Sequence, residues 1–387
     1  MADQQYRYVV HVTPEMIRHS RILDILYFVD AAFGILLMLV ILMTGLSAKM
    51  RNVAARVTNR RYPQTLLWLV LFTLLTWVIG FPLDYYRGRT VPLEFGLTHQ
   101  TFGSWMGDQL KSLMVGLIFT LLLVPLALWA IRRFKQWWIA VWLGSIPLSI
   151  IGVIIFPLII DPLFNKFEPF KREPLRSRLL AEATHAGIPN AEVFEVNASK
   201  QTTTMNAYVT GIGPTKRIVL YDTLLAKMDD DEIVSTMGHE MGHYVLNHIW
   251  KGLAFSIFIS MIVTYLGQQM YERGLRRWGA RWGGIERGDA ASFPWLLVVI
   301  SLILFILTPI NSAFSRYQEH QADLYGLDVT GLNEASASSM VKFAEDAKIN
   351  PDPPAFIEFW RYSHPAPSKR IRLALEHKPP EGKKPSS

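Results

Sequence analysis

The chain has 387 residues, half of them hydrophobic, with 12 Trp, no Cys and a net charge of +7. The absence of Cys excludes disulfides and thiolate metal ligands. In so apolar a chain the excess of Lys and Arg reads as basic flanks of membrane spans, and no nucleic-acid partner is expected.

Residues 1–24 are polar and include Glu15 and Arg18, so no cleaved signal peptide is expected there. Four apolar stretches follow, at 25–46, 65–83, 112–131 and 137–160; two more lie at 252–270 and 294–311. Each approaches the roughly 17–25 residues needed to cross a bilayer. Trp68 to Ile79 and Leu296 to Leu307 carry no charge at all. Asp30 falls inside the first stretch, where an acid faces either a bundle interior or the membrane interface. Pro125, Pro147 and Pro157 are positioned to kink the third and fourth spans.

The polar segment 161–250 is expected to be an inserted domain. Glu192 to Val196 is strand-like, and Ala207–Ile212 and Arg217–Tyr221 flank Gly213-Pro214-Thr215-Lys216 as a hairpin. A helix follows. Asp229 with Glu232 three residues on fits a capping box, and the acids at 229–232 suit a helix N-terminus. The helix is expected to run to about His248 with His239-Glu240-Met241-Gly242-His243 in its middle. At about 100° per residue, His239 and His243 share a face and can grip one Zn²⁺. Glu240 can then take a proton from a water activated by the metal. His248 follows His239 by nine residues, about 180° round the helix, and is expected to face away from the metal.

A catalytic zinc takes three protein ligands and keeps a position open. Position 249 is Ile, which excludes the metzincin pattern. The next candidate is Glu319-His320-Gln321-Ala322-Asp323. Glu319 and Asp323 share a helix face, so that one can ligate zinc while the other orients a ligand histidine. His320 is offset by about 100° and is the poorer ligand. The chain is thus divided into a polar segment (1–24), four spans (25–160), a metalloprotease domain (161–250), two spans (251–311), a C-terminal catalytic part (312–377) and a Pro/Lys/Ser-rich disordered tail (378–387).

These features together resemble the type I CAAX prenyl protease family of integral-membrane zinc metalloproteases. The likeness covers most of the chain. It includes Phe95-Gly96-Leu97-Thr98-His99-Gln100-Thr101, Pro162-Leu163-Phe164-Asn165-Lys166-Phe167, Asn206-Ala207-Tyr208 and the run Lys216 to Leu225. The HExxH motif, the 319–323 motif and Ser363-His364-Pro365 come in the family's order.

The resemblance implies a mainly α, polytopic membrane protein with an inserted α+β zincin-like domain, its helices enclosing a chamber. It implies one Zn²⁺ held by His239, His243 and Glu319, with Glu240 as base and Asp323 supporting a ligand. It implies that Asn206, Ala207 and Tyr208 pair with the substrate, and that His364 and Arg370 support the oxyanion. The implied partners are the lipid bilayer and a peptide or protein substrate, lipidated in the family's best-known reaction. The family members from eukaryotes have seven spans, against six here. The resemblance puts the zinc domain in the cytosol, and that arrangement is the one expected. The basic loops 47–64, 132–136 and 271–293 favour the opposite orientation by the positive-inside rule. Rival readings are a quality-control protease indifferent to prenylation, an intramembrane protease with its motif inside a span, and a transporter with a structural metal. The last would take four protein ligands with none left open.

Overall fold

The computed structural model describes residues 8–189, 191–211 and 216–378. The tail beyond 378 lies outside the described residues, as do Ile212 and the first three residues, 213–215, of the expected hairpin turn. Among the described residues, six helices are long and apolar enough to cross a membrane: Pro14–Met43, Arg61–Glu94, Phe102–Arg133, Trp137–Phe164, His248–Trp278 and Ala290–Thr330. All six expected spans are present, five of them inside a longer helix; the first, expected to run to 46, ends at Met43, where Thr44 and Gly45 turn the chain.

The first helix, α1 (Pro14–Met43), starts well before the apolar stretch. The Thr13 hydroxyl accepts from the Met16 amide at 3.2 Å, and Pro14 stands at the first turn, where its missing N–H costs nothing. Its opening turns are polar because they pack on protein: His19 Nδ1 bonds the Lys348 carbonyl at 3.0 Å, and the Asn350 amide donates to Ser20 Oγ at 2.7 Å. Asp30, farther along α1, pairs with Arg87 at 2.5 Å. The bundle thus answers this acid with an opposite charge.

An amphipathic helix, α2 (Leu46–Val57), leads to α3 (Arg61–Tyr85), α4 (Phe102–Arg133) and α5 (Trp137–Ile155). The third and fourth spans carry Pro125 and Pro147 inside these helices, and Pro157 sits in a π-turn at Phe156–Ile160. The membrane core gathers Trp68, Leu128, Ile131, Tyr271, Trp295 and Val299. Two of its buried indoles find carbonyl partners inside the protein, as lipid surroundings favour, while Trp137 Nε1 is buried without one. Trp68 Nε1 donates to the Ser47 carbonyl at 3.0 Å, and Trp295 Nε1 to the Tyr271 carbonyl at 3.1 Å.

The inserted domain begins with β1 (Phe167–Pro169), α6 (Leu175–His185), β2 (Glu192–Val196), β3 (Ala207–Thr210) and β4 (Arg217–Tyr221). The sheet order is β1-β2-β4-β3, with β2 parallel to β4 and the other pairs antiparallel. Ala207 pairs with Leu220 and Tyr208 with Val219, the pairing expected of the hairpin. β3 is therefore an edge strand. Two helices follow, α7 (Asp222–Lys227) and α8 (Asp230–Val245). Both halves of the expected capping box are made at α8: the Glu232 amide donates to Asp229 and the Asp229 amide to Glu232, each at 2.9 Å. A separate core of Leu179, Ile188, Ile218, Leu220, Ile233 and Met237 joins the sheet to α6 and α8.

The last two spans are α9 (His248–Trp278) and α10 (Phe293–Thr330). Three shorter helices follow among the described residues: α11 (Asn333–Asp346), α12 (Ala355–Arg361) and α13 (Pro367–Glu376). At about 1.5 Å per residue, the 38 residues of α10 extend about 57 Å, nearly twice the roughly 30 Å hydrocarbon core. Glu319 and Asp323 ride on the part that projects beyond it. The membrane span and the C-terminal catalytic part share this helix without a break at 311–312.

Candidate metal centre and active site

α8 and α10 cross at unusually short range. A Cβ built on Gly326 would lie 2.8 Å from the His239 amide nitrogen, and one on Gly242 3.2 Å from Ala322 Cα. Only hydrogen at these positions permits the approach. The result is that Glu319 reaches both histidines of α8. His239 Nε2 and His243 Nε2 lie 3.2 Å apart; Glu319 Oε2 is 3.3 Å from the first and Oε1 3.4 Å from the second.

Those separations test the fit to a metal. Ligands placed tetrahedrally at about 2.0–2.1 Å from one ion stand about 3.3 Å apart. Glu319 Oε2 is buried without a hydrogen-bond partner, as a ligand oxygen would be when its partner is an ion. His239, His243 and Glu319 are also the only such donor group among the described residues. The donor set is His₂Glu, which suits an open catalytic position.

Each histidine is anchored through its other ring nitrogen. His239 Nδ1 donates to Asp323 Oδ1 at 2.8 Å. Asp323 is gripped in turn by Arg370, whose Nε and Nη2 donate to its two oxygens at 2.9 and 2.6 Å. Arg370 thus buttresses the partner of His239, and it also lines the catalytic cavity, its Nη2 3.9 Å from Glu319 Oε2.

His248 requires a correction. It does not face away from the metal. Its Nδ1 lies 3.0 Å from His243 Nδ1, and its Nε2 3.3 Å from Gln321 Oε1. Gln321 can only accept at Oε1, so His248 Nε2 donates, its Nδ1 is an acceptor, and His243 Nδ1 carries the shared proton. The expected helix to 248 breaks at Leu246. Asn247 takes the left-handed conformation (φ 57°), and α9 starts afresh with His248 turned inward and buried. Asn immediately after a helix was the available signal, since Asn tolerates that conformation.

Glu240 Oε1 lies 4.0 Å from His239 Nε2, beside the metal position. Burial holds its carboxyl pKa above the ordinary value, which makes it a better proton acceptor once ionised. His364 Nε2 is 3.3 Å from Glu319 Oε1, and its Nδ1 bonds Ser363 Oγ at 2.9 Å. A cavity of about 510 Å³ opens on this group, bounded by Asn206 and Ala207 on one side and by Met340 and Phe343 of α11 on another. Tyr208 is not among its walls; its ring packs against Tyr221 with centroids 6.4 Å apart. Only the backbone of Tyr208 is thus offered to a peptide along β3. Met340 and Phe343 carried no sequence signal, because apolar residues on a helix read as core.

Residues 169–378 match peptidase family M48, and residues 24–166 match the CAAX prenyl protease N-terminal region, described as five membrane helices. The chain belongs to peptidase family M48. It is an integral, multi-pass membrane metalloendopeptidase. Three of its spanning helices lie within the 24–166 match and a fourth, Pro14–Met43, overlaps its start. It is 38% identical over 358 residues to the uncharacterized metalloprotease YhfN of Bacillus subtilis, covering 92% of this chain and 84% of that one. It is 29% identical over 337 residues to CAAX prenyl protease 1 of Saccharomyces cerevisiae, covering 81% and 72% respectively. The crystal structure of S. mikatae Ste24p superposes with a TM-score of 0.77 at 26% identity, covering 87% of this chain and 82% of that one. The M48 membership supplies a metal cofactor in general terms, and the cluster of His239, His243 and Glu319 is compatible with it.

Proposed function

We propose that the metal is zinc and that the chain hydrolyses peptide bonds near the C-termini of prenylated proteins, as the name of the yeast relative denotes. The observation that carries the zinc reading is the convergence of three donor residues, the two imidazole Nε2 atoms and the Glu319 carboxylate, with contacts of 3.2–3.4 Å among them. A zinc ion held there supplies Lewis acidity toward a carbonyl and a water.

The chain's residues supply the remainder of the chemistry. The open edge of β3 at Asn206–Tyr208 adds the substrate as a further strand, which aligns its backbone without demanding a sequence. Glu240 takes the proton of the attacking water and returns it to the leaving amine. His364 Nε2 donates to the oxygen on which charge develops. Asp323 and His248 hold the two ligand imidazoles in the tautomers that leave Nε2 free. Between α9 and α10 a cavity of about 520 Å³ is lined by Phe255, Ile259, Val263 and Phe314 together with Ser256 and Asn311. This intramembrane space supports a lipid-bearing substrate.

Two measurements test the reading. Glu240→Gln is expected to lower kcat by roughly 10²–10⁴-fold with unchanged zinc content by elemental analysis, whereas His239→Ala loses the metal. A farnesylated peptide is expected to be cleaved faster than its unlipidated twin. Equal rates would remove prenylation from the proposal and leave the peptidase reading standing.

A further inference from the structure

The end of the membrane bundle remote from the metal holds a second polar cavity, of about 210 Å³, among α2, α3, α4 and the 286–290 loop. Four arginines line it, Arg51, Arg61, Arg132 and Arg287, against two acids, Glu286 and Asp289. The protein occupies some of that charge. Arg51 pairs with Asp289 at 2.6 Å and Arg287 approaches Glu272 at 3.6 Å. Arg132 reaches only a carbonyl, that of Gly288, at 2.6 Å. Among the described residues Arg61 makes no ion pair or side-chain hydrogen bond. Two guanidinium groups therefore share one cavity with no carboxylate paired to either.

The cavity's height in the membrane is also defined. Arg61 is the first residue of its span and Arg132 the penultimate residue of its own. Tyr62, Trp129 and Phe134 stand beside them with 62%, 53% and 39% exposure, the aromatic belt of a membrane–water interface. Fully buried Trp68 also lines the cavity. The volume falls below the roughly 300–1,000 Å³ of small-molecule sites, which suits a single headgroup and excludes a nucleotide. The loops of this end, 47–64, 132–136 and 271–293, add further Lys and Arg such as Arg56, Arg133 and Arg277. Basic residues near an anionic bilayer surface add attraction to it.

We propose that this cavity binds the phosphate of an anionic phospholipid, with Arg61 and Arg132 as its principal contacts. The site is separate from the metal centre and does not rest on the substrate reading. Native mass spectrometry of the full chain in a neutral detergent tests it, with phosphatidylglycerol, phosphatidylcholine and inorganic phosphate titrated in parallel. One phosphatidylglycerol is expected to bind at least tenfold more tightly than phosphatidylcholine. Arg61→Gln, exposed and unbonded, should abolish most of that preference, and Arg132→Gln should do the same. Arg56→Gln and Arg277→Gln, exposed on the same face outside the cavity, should leave it intact. The proposal is overturned if the two lipids bind alike, if Arg61→Gln keeps the wild-type preference, or if the control variants lose as much. Inorganic phosphate binding as tightly as the lipid would overturn the lipid assignment in favour of a soluble anion.

Discussion

His239 and His243 are anchored by different chemistry. His239 donates to a carboxylate that is itself clamped by Arg370, whereas His243 donates to neutral His248. Removing the charge from Asp323 leaves Arg370 facing a neutral amide in a buried place, so two interactions are lost together. Removing His248 leaves one unpaired N–H on His243. Losing an outer partner of a metal ligand typically lowers metal affinity about 10–100-fold. Asp323→Asn is therefore expected near the upper end of that range and His248→Ala near the lower, read by competition with a chromophoric chelator. Equal losses would show that the charge on Asp323 is immaterial. A different carboxyl, Glu182, lies behind the metal helix with both oxygens buried and unpartnered. Burial pushes its pKa up to about 8. The folded chain keeps its proton over a pH range in which the unfolded chain releases it, so stability falls from the ordinary Glu pKa up to about pH 8. At about 1.4 kcal/mol per unit, the deficit at pH 7 is roughly 3 kcal/mol. Glu182→Gln should raise the Tm at pH 8 and leave it near wild type at pH 4. A parallel pH dependence in the variant would exclude the group.

At the scale of the elements, the metal site depends on how closely α8 and α10 approach. Gly326→Ala would put a methyl 2.8 Å from the His239 nitrogen and 3.1 Å from the Gly238 carbonyl carbon, both backbone atoms that cannot rotate aside. The helices must separate, at a cost of about 1–3 kcal/mol for overpacking. Glu319 moves with α10. The expected outcome is a lower Tm in detergent and lower zinc occupancy at limiting metal; wild-type occupancy would mean that the crossing has slack. This crossing also marks the limit of what the sequence disclosed. The capping box, the hairpin strands and the six spans were legible because each is written in local spacing. The same spacing placed Glu319 and Asp323 on one helical face. His248 was misplaced because one left-handed residue, Asn247, resets the helical phase, and a regular 100° count does not register it. Arg370 was found through family resemblance, yet its bond to Asp323 needed the fold, since 47 residues separate the two.

At the scale of the molecule, the catalytic cavity is not the property of a detachable domain. Its walls include Ser20 and Leu23 from α1, the first membrane helix. What holds α1 there is an ion pair between Asp24 and Arg361 at the end of α12, with side chains only 15% and 23% exposed. Beside it stand the bonds of His19 to Lys348 and of Ser20 to Asn350. Removing one member of a buried pair typically costs about 3–5 kcal/mol, because the other charge is left without an answer; removing both costs much less. Asp24→Asn and Arg361→Gln should therefore each lower the Tm and kcat/KM. The double variant should recover a large part of both, a coupling that a four-member mutant cycle measures directly. If the pair served stability alone, Tm would change in all three variants with kcat/KM untouched. A loss in both, restored together in the double variant, would mean that the membrane half shapes the site as well as anchoring it. Zinc content should stay constant throughout, since neither residue touches a ligand, and that constancy separates a distorted cavity from a lost metal.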